Sequence, residues 1–168
     1  KAKTERGHRW AACSLCEQEY HGVVRCALGW ACWKTYLGRP EKDMPRRAAM
    51  GMLGNGLISA EHHEDALSVK VAELAMERRL GGSERDILAL QSNLANTYDA
   101  LGRYQDALRL SRDVYSATLK LNGKEDHDSL LEANNYARSL CKSKHFEEAK
   151  VLLRKTIPVA RRILGDSH

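Results

Sequence analysis

The sequence predicts an all-α fold of antiparallel helix pairs, because three features recur at a nearly constant spacing of 42 residues. Asn93-Leu94-Ala95 returns as Asn135-Tyr136-Ala137, and Ala107 in RYQDAL returns as Ala149 in HFEEAK. A glycine recurs at the same spacing, as Gly81, Gly123 and Gly165. Independent features in one register indicate a repeat architecture, in which each unit buries its apolar face against its neighbours.

Each repeat is predicted to contain two helices. In the middle repeat, apolar residues follow the three-and-four spacing of an amphipathic helix, at Leu90, Leu94, Ala95, Tyr98 and Leu101. Gly102 then permits a turn, and a second helix closes at Asn122-Gly123. Asp86 and the pair Asp128-Ser129 are the predicted amino-terminal caps of the first helices in the second and third repeats.

A weaker copy precedes the middle repeat, offset by 41 residues. Gly54 takes the place of Ala95, and Ala66 takes that of Ala107. Small side chains at these positions let the two helices of a pair approach closely. Because glycines 51, 54 and 56 fall in its first helix, we expect this repeat to be the least stable.

The segments NLANTYDALGRYQDALRL and NYARSLCKSKHFEEAKVLL resemble the tetratricopeptide repeat in its kinesin-light-chain-like form. The resemblance covers roughly residues 46–168, about three repeats of roughly 42 residues. It implies a right-handed superhelical solenoid that binds a peptide or partner protein on its concave face. The chain departs from the pattern at Lys144, where the inter-helix glycine would stand, and at His63, which replaces an aromatic residue.

Asparagines are the predicted ligand-binding residues. Asn55, Asn96 and Arg138 are equivalent in the repeat alignment, at a polar position of each first helix, and Asn93 matches Asn135 at another. Asparagine is a mediocre helix former, so its repeated use in mid-helix needs a reason. The family resemblance implies hydrogen bonds to an extended peptide, with Arg138 for an acidic group. The alternative is that these amides brace neighbouring repeats, and the positions of Asn93 and Asn135 favour bracing.

Residues 1–22 contain a C-x2-C pair, Cys13 and Cys16, which can supply two thiolates to a zinc ion that needs four ligands. Residues 23–38 are predicted to form a helix, in which Cys26 and Cys32 would point about 240° apart and chelate poorly. His8 and His21 are further candidate ligands. Two free thiols at a turn remain the alternative to a metal site.

The stretch HRWAACSLCEQEYHG resembles the last cysteine pair of a RING-CH-like (RING-variant) zinc finger. That resemblance implies a finger whose other ligands would precede Lys1, and a parent protein that is a RING-type ubiquitin ligase. The three tryptophans, Trp10, Trp30 and Trp33, are expected to dock the 23–38 helix onto the first repeat, because Trp30 and Trp33 share a face.

No catalytic constellation is visible in the sequence. The cluster His62-His63-Glu64-Asp65 lacks the spacing of a metalloprotease motif, because adjacent helical residues diverge, and we interpret it as a helix start. Cys141 has no activating histidine in a predicted pocket. The function expected is therefore that of a non-catalytic interaction scaffold.

Charge and composition restrict the classes of partner that we expect for the chain. Residues 1–50 hold ten Lys/Arg against five Asp/Glu, whereas the rest of the chain is balanced. A nucleic-acid surface needs a denser basic stripe, so we expect no nucleic-acid partner. We also expect no membrane span, since no apolar run approaches 18 residues. Five cysteines without a secretory signal favour reduced thiols and a cytoplasmic location. A start without methionine and an end within the repeat pattern suggest a fragment.

Overall fold

The computed structural model describes residues 10, 12–13 and 15–165, and within them the secondary structure consists of seven α-helices without a β-strand. The all-α prediction is confirmed. The helices are α1 (Gly22–Tyr36), α2 (Met44–Ser59), α3 (His63–Arg79), α4 (Glu84–Ala100), α5 (Tyr104–Asn122), α6 (His127–Lys142) and α7 (Phe146–Leu164). None of the helices described is long and apolar enough to cross a membrane.

The helices belong to two compact units. The amino-terminal unit, residues 1–82, contains α1, α2 and α3, so it holds the first helix pair and the helix that precedes it. The carboxyl-terminal unit, residues 83–168, contains the pairs α4/α5 and α6/α7. The helix predicted over residues 23–38 corresponds to α1.

Glycines bring α1 against α2 in the amino-terminal unit. A Cβ atom on Gly56 would lie 2.8 Å from the carbonyl oxygen of Arg25, and one on Gly29 would lie 3.0 Å from that of Met52. The two backbones therefore meet at a distance that only glycine allows. The core beside this crossing is formed by Leu53, Leu57 and Ala66, with partly buried neighbours that include Cys26 and Trp33.

The expectation for the tryptophans holds only in part. Trp33 packs against the Leu53–Leu57 core, as predicted. Trp30 is 44% exposed, so the prediction that both side chains anchor the helix was wrong. The crossing at Gly29 orients α1 so that only one of the two tryptophans reaches the core.

The first helix pair buries charged side chains of α3. Lys70 is almost fully buried, and its ammonium donates to Glu73 Oε2 at 3.2 Å. A Cβ on Gly54 would lie 2.7 Å from Lys70 Cε, and one on Gly51 would lie 2.9 Å from Glu73 Oε1. The glycines of α2 therefore provide the space that this ion pair occupies.

The carboxyl-terminal unit follows the repeat pattern closely. Leu108, Leu140 and Ala149 form a buried cluster, and Tyr136 and Leu152 pack against it. The small residues predicted to lie at helix contacts, Ala95, Ala107, Ala137 and Ala149, are all buried. A pair of stacked rings, with centroids 5.9 Å apart, joins Tyr115 of α5 to Tyr136 of α6.

The turn inside each helix pair has one residue in the left-handed region, at Glu61 (φ 64°), Gly102 (φ 72°) and Lys144 (φ 65°). At all three turns the residue's own N–H and the following N–H donate back into the preceding helix. At Lys144, for example, its N–H bonds Cys141 O at 3.0 Å, and that of His145 bonds Leu140 O at 2.8 Å. This is the glycine-favouring helix ending called a Schellman motif.

The predicted helix caps were wrong, because the actual caps lie two or three residues earlier in the chain. The α4 cap is Ser83, whose side chain accepts from the N–H of Asp86, and the α6 cap is Asp126, which accepts from Asp128 and Ser129. Asp86, Asp128 and Ser129 therefore lie in the first turn of their helices. An acidic side chain there interacts favourably with the helix dipole but does not cap the helix.

Asp126 is held in its ionised form. The hydrogen bond from Asn122 is the largest cause that lowers the pKa of Asp126 below its ordinary value, and the N–H groups of Ser129 and Asp128 add to it. The same carboxylate thus closes the end of α5 and the start of α6.

Candidate functional site: the α4/α6 face

Side chains of α4 and α6 that stand one repeat apart meet in a series of polar contacts. Arg85 Nη2 donates to Asp128 Oδ2 at 2.6 Å, and Ser92 Oγ donates to Glu132 Oε2 at 2.9 Å. Further along, an Arg138 guanidinium N–H donates to the Asn96 carbonyl. The regular repeat therefore places three rows of paired polar groups between the two first helices of this unit.

The middle row is buried. Glu132 accepts from Ser92 and also from Asn135 Nδ2 at 3.2 Å, and both Ser92 and Glu132 are buried. A buried carboxylate is tolerated only when hydrogen bonds replace its water. Asn135 Nδ2 also donates to Ser92 Oγ of α4 at 3.4 Å, so Asn135 links the two first helices.

The outer row forms an exposed cationic group, which we define as Asn96, Asp99, Arg138 and Lys142. The Asp99 side chain is only 6% exposed, and its Oδ2 lies 3.7 Å from Arg138 Nε and 3.5 Å from Lys142 Nζ. The two cations are 46% and 43% exposed. Two positive charges surround one carboxylate, so the group presents excess positive charge to solvent.

The structure brings together only some of the predicted site residues. Asn96 and Arg138, which are equivalent in the repeat alignment, contact each other through a hydrogen bond from the Arg138 guanidinium to the Asn96 carbonyl. Asn135 is half-buried in the Glu132 row, whereas Asn93 on α4 is exposed. Asn55 is exposed on α2 and belongs to the other unit.

Sequence reasoning missed Asp99 and Lys142. Their signal was present, because Asp99 follows Asn96 by three residues and Lys142 follows Arg138 by four. Residues at these spacings share a helix face. Neither position carries the same residue in another repeat, so repeated identities do not reveal them.

A small cleft lies between the Arg85–Asp128 contact and the Ser92–Glu132 contact. Its volume is about 220 Å³, and its walls are largely apolar, formed chiefly by Leu88, Leu121 and Leu131. This volume is below that of typical small-molecule pockets, which hold about 300–1,000 Å³. The cleft suits a single side chain of a bound partner.

The C-x2-C pair forms a tight hairpin in the amino-terminal unit. Ala12 and Glu19 form an antiparallel bridge, Cys13 N–H donates to Gln18 O at 2.9 Å, and Glu17 turns through the left-handed region at φ 58°. The backbone N–H groups of Cys16 and then Leu15 bond the Cys13 sulfur and lower the pKa of that thiol.

The cysteines of α1 do not join this hairpin. Cys26 packs against the Leu53–Leu57 core, and Cys32 is buried and donates to Met52 Sδ at 3.8 Å. Within residues 10, 12–13 and 15–165, no three His, Cys, Asp or Glu side chains are grouped as metal ligands. His21 is exposed, and His8 lies outside the described residues.

The remaining candidates for chemistry occupy ordinary positions. Glu64 and Asp65 lie in the first turn of α3, and His62 precedes it without a capping hydrogen bond from its side chain. Cys141 is exposed on α6. These positions fit the interpretation of the cluster as a helix start.

Comparisons with known proteins identify the repeats. The tetratricopeptide repeat family matches residues 87–128 and 133–168. No curated protein matches the sequence. The family match confirms the two repeats of the carboxyl-terminal unit.

Solved structures show the same fold. A candidate kinesin light chain from Podosopora anserina with nearly identical TPR-like repeats and a single-substitution variant of it are both 21% identical to this chain, with TM-scores of 0.67 and 0.68 respectively. Each of these matches covers 83% of this chain and 65% of the other. BtubC (BKLC) from P. vanneervenii is 18% identical, with a TM-score of 0.68, over 84% of this chain and 57% of its own. This chain therefore spans less than two thirds of their length, and it has an all-α tetratricopeptide fold.

Proposed function

We propose that this chain is a non-catalytic interaction module that binds a peptide or partner protein on the α4/α6 face. Tetratricopeptide repeats are typical of protein-interaction scaffolds, and the exposed cationic group is the observation that supports a site here. Aligned first helices of such repeats offer an extended surface to a partner.

The chemistry of the face favours an acidic ligand with one apolar side chain. An acidic group would bind between Arg138 and Lys142, since charge-assisted hydrogen bonds to arginine and lysine are the strong ones. Asn96 offers an amide donor beside them, and the cleft at Leu88 and Leu131 would take the apolar residue. Asn93 is an exposed amide of α4 outside this group and would extend contacts along the backbone of the partner. Asn55, exposed on the amino-terminal unit, would offer an amide to a peptide there independently of this group.

A peptide-display selection followed by matched variants tests this proposal. We expect selected peptides to carry acidic residues and to lose about tenfold or more in affinity to Lys142→Ala, because a charge-assisted hydrogen bond is worth about 1.5–3 kcal/mol. Arg154→Ala is the matched control, since Arg154 is an exposed cation on α7 outside the group. Equal losses in both variants would show only general attraction to a basic protein.

A second candidate function is supported by the Cys13–Cys16 hairpin. We propose that it supplies two thiolates to a zinc ion, the ligand chemistry that zinc prefers, as part of a RING-type ubiquitin ligase whose repeats select the substrate. The test is the parent sequence before Lys1, where the absence of a C-x2-C and a C-x-H-x2-C-like block would refute the ligase.

We also propose that the protein acts in a reducing compartment such as the cytoplasm. None of the five cysteines, all of which the structure describes, forms a disulfide, and Cys16 and Cys141 are exposed. Exposed thiols persist where glutathione keeps them reduced. A tagged chain found in the secretory pathway would contradict this location.

A further inference from the structure

We infer that Asp99 restricts the cationic group to acidic groups that carry a single negative charge. The ligand is then a carboxylate, and a phosphorylated residue gains nothing from its second charge. The inference rests on the proposal that the α4/α6 face binds an acidic ligand. It adds the class of acid and the residue that determines the specificity.

The charges of the cationic group favour a singly charged ligand. Arg138 and Lys142 contribute two positive charges and Asp99 contributes one negative charge, which leaves one net positive charge. An ionised carboxylate neutralises that charge. A phosphorylated side chain carries about 1.5–2 negative charges near neutral pH, so part of its charge would face Asp99 without a cation to balance it. Like charges at short range disfavour each other.

The carboxylate of Asp99 depends on the same two cations that the ligand would use. Asp99 Oδ1 is buried and has no hydrogen-bond partner among the residues that the structure describes. A buried carboxylate is costly unless cations or hydrogen bonds compensate it. Arg138 and Lys142 supply that compensation at Oδ2, so a ligand that drew both cations away would leave Asp99 uncompensated. Asp99 therefore competes with the ligand for both cations.

Each cation also has a second contact that does not involve Asp99. A guanidinium N–H of Arg138 donates to the Asn96 carbonyl, and Lys142 Nζ lies 5.8 Å from the centroid of the Tyr104 ring. The face of an aromatic ring attracts a cation at this distance. Removal of the Asp99 charge should therefore leave both cations in place and raise the net charge of the group from one to two. The main effect of Asp99 on binding is on the charge of the group rather than on its geometry.

Two capped amino acids of different charge test the inference. N-acetylglutamate amide and N-acetylphosphoserine amide are titrated into the whole 168-residue chain, with N-acetylglutamine amide as the uncharged control, and NMR follows the side-chain amide of Asn96. The parent should bind the glutamate probe at least as tightly as the phosphoserine probe. Asp99→Asn should reverse this preference to about fivefold in favour of phosphoserine, because an exposed ion pair is worth up to about 1 kcal/mol. Asp113→Asn removes the same charge from an exposed side chain of α5 outside the group and should keep the preference of the parent.

The outcomes separate this inference from the proposed function on which it rests. The ratio of the two affinities does not depend on the folded fraction, so a loss of stability in Asp99→Asn would not disguise the result. A parent that prefers phosphoserine, or a ratio that Asp99→Asn leaves unchanged, would overturn the inference and keep the acidic site. Weaker binding of both probes to folded Asp99→Asn would also overturn it, because Asp99 would then act by holding the cations. Absence of binding, or binding that Lys142→Ala leaves unchanged, would overturn the acidic site and the inference together.

Discussion

Lys144 occupies a backbone position that suits glycine, so Lys144→Gly should stabilise the carboxyl-terminal unit. The equivalent residue in the preceding pair is Gly102, and the two φ angles, 65° and 72°, are nearly the same. A residue with a Cβ atom costs about 1–2 kcal/mol in this region. Glycine is more flexible in the unfolded chain, and this entropy offsets about 0.5–1 kcal/mol of the gain. The net gain expected is about 0.5–1 kcal/mol.

Replacing Gly102 with alanine is the reverse change and measures the same backbone cost independently. Gly102→Ala introduces a Cβ atom that would meet no heavy atom within 4 Å, so no clash contributes. We expect a loss of about 0.5–1 kcal/mol from the backbone alone. Lys144→Ala is the matched control for the lost charge, because alanine removes the ammonium near the carboxyl end of α6 and keeps the left-handed cost.

Urea unfolding of the four proteins measures these differences, provided that the slope with denaturant stays unchanged. The reasoning predicts that Lys144→Gly is more stable than Lys144→Ala, while Gly102→Ala is less stable than the parent. If glycine and alanine at position 144 unfold at the same urea concentration, the left-handed turn is not a source of strain. A gain from Lys144→Ala as large as that from glycine would assign the effect to charge.

Three further changes test other contacts. Gly56→Ala should cost about 1–3 kcal/mol in thermal or urea unfolding, because its Cβ would meet the α1 backbone, whereas Gly38→Ala has open space and should be nearly neutral. Asn135→Ala should lower the free energy of unfolding by about 1–3 kcal/mol, because the buried Glu132 carboxylate loses a hydrogen-bond donor. Asn93→Ala alters an exposed side chain and should change stability little. Equal effects of the two variants would contradict the bracing role of Asn135. Asp126→Ala should lower the melting temperature at neutral pH. The pKa of Asp126 is lowered in the folded chain, so its contribution to folding stability is complete above the ordinary value of 3.8 and is lost as the pH falls through the lowered pKa. If the stability difference between Asp126→Ala and the parent stays constant in acid, the capping role is refuted.

The repeat register was predictable because it depends on small residues at helix contacts. Ala95, Ala107, Ala137 and Ala149 are buried where the alignment put them, and the pairing of Asn96 with Arg138 follows from the same register. A spacing repeated in the sequence becomes a spacing repeated in space when each unit forms the same helix pair.

Contacts that occur once could not be predicted in that way. The glycines of α2 were expected to weaken a helix, yet Gly54 provides room for Lys70, and Gly56 provides room for the α1 backbone. Helix propensity counts only the cost of glycine within its own helix. The compensating contact comes from another helix, at positions that no repeat shares, so neither Lys70 nor Arg25 was visible as a partner.

Bracing and binding, the two roles considered for the polar residues of the first helices, are compatible at Arg138. Its guanidinium is held by Asn96 and by Asp99, and nearly half of the side chain still faces solvent. Ordering a long side chain on binding costs about 0.5–1.5 kcal/mol. An arginine already held in one geometry loses less entropy when a ligand arrives. The contacts that brace α4 against α6 therefore preorganise the cation for a ligand, and Arg138→Ala should reduce affinity and stability together, whereas Lys142→Ala should act mainly on affinity.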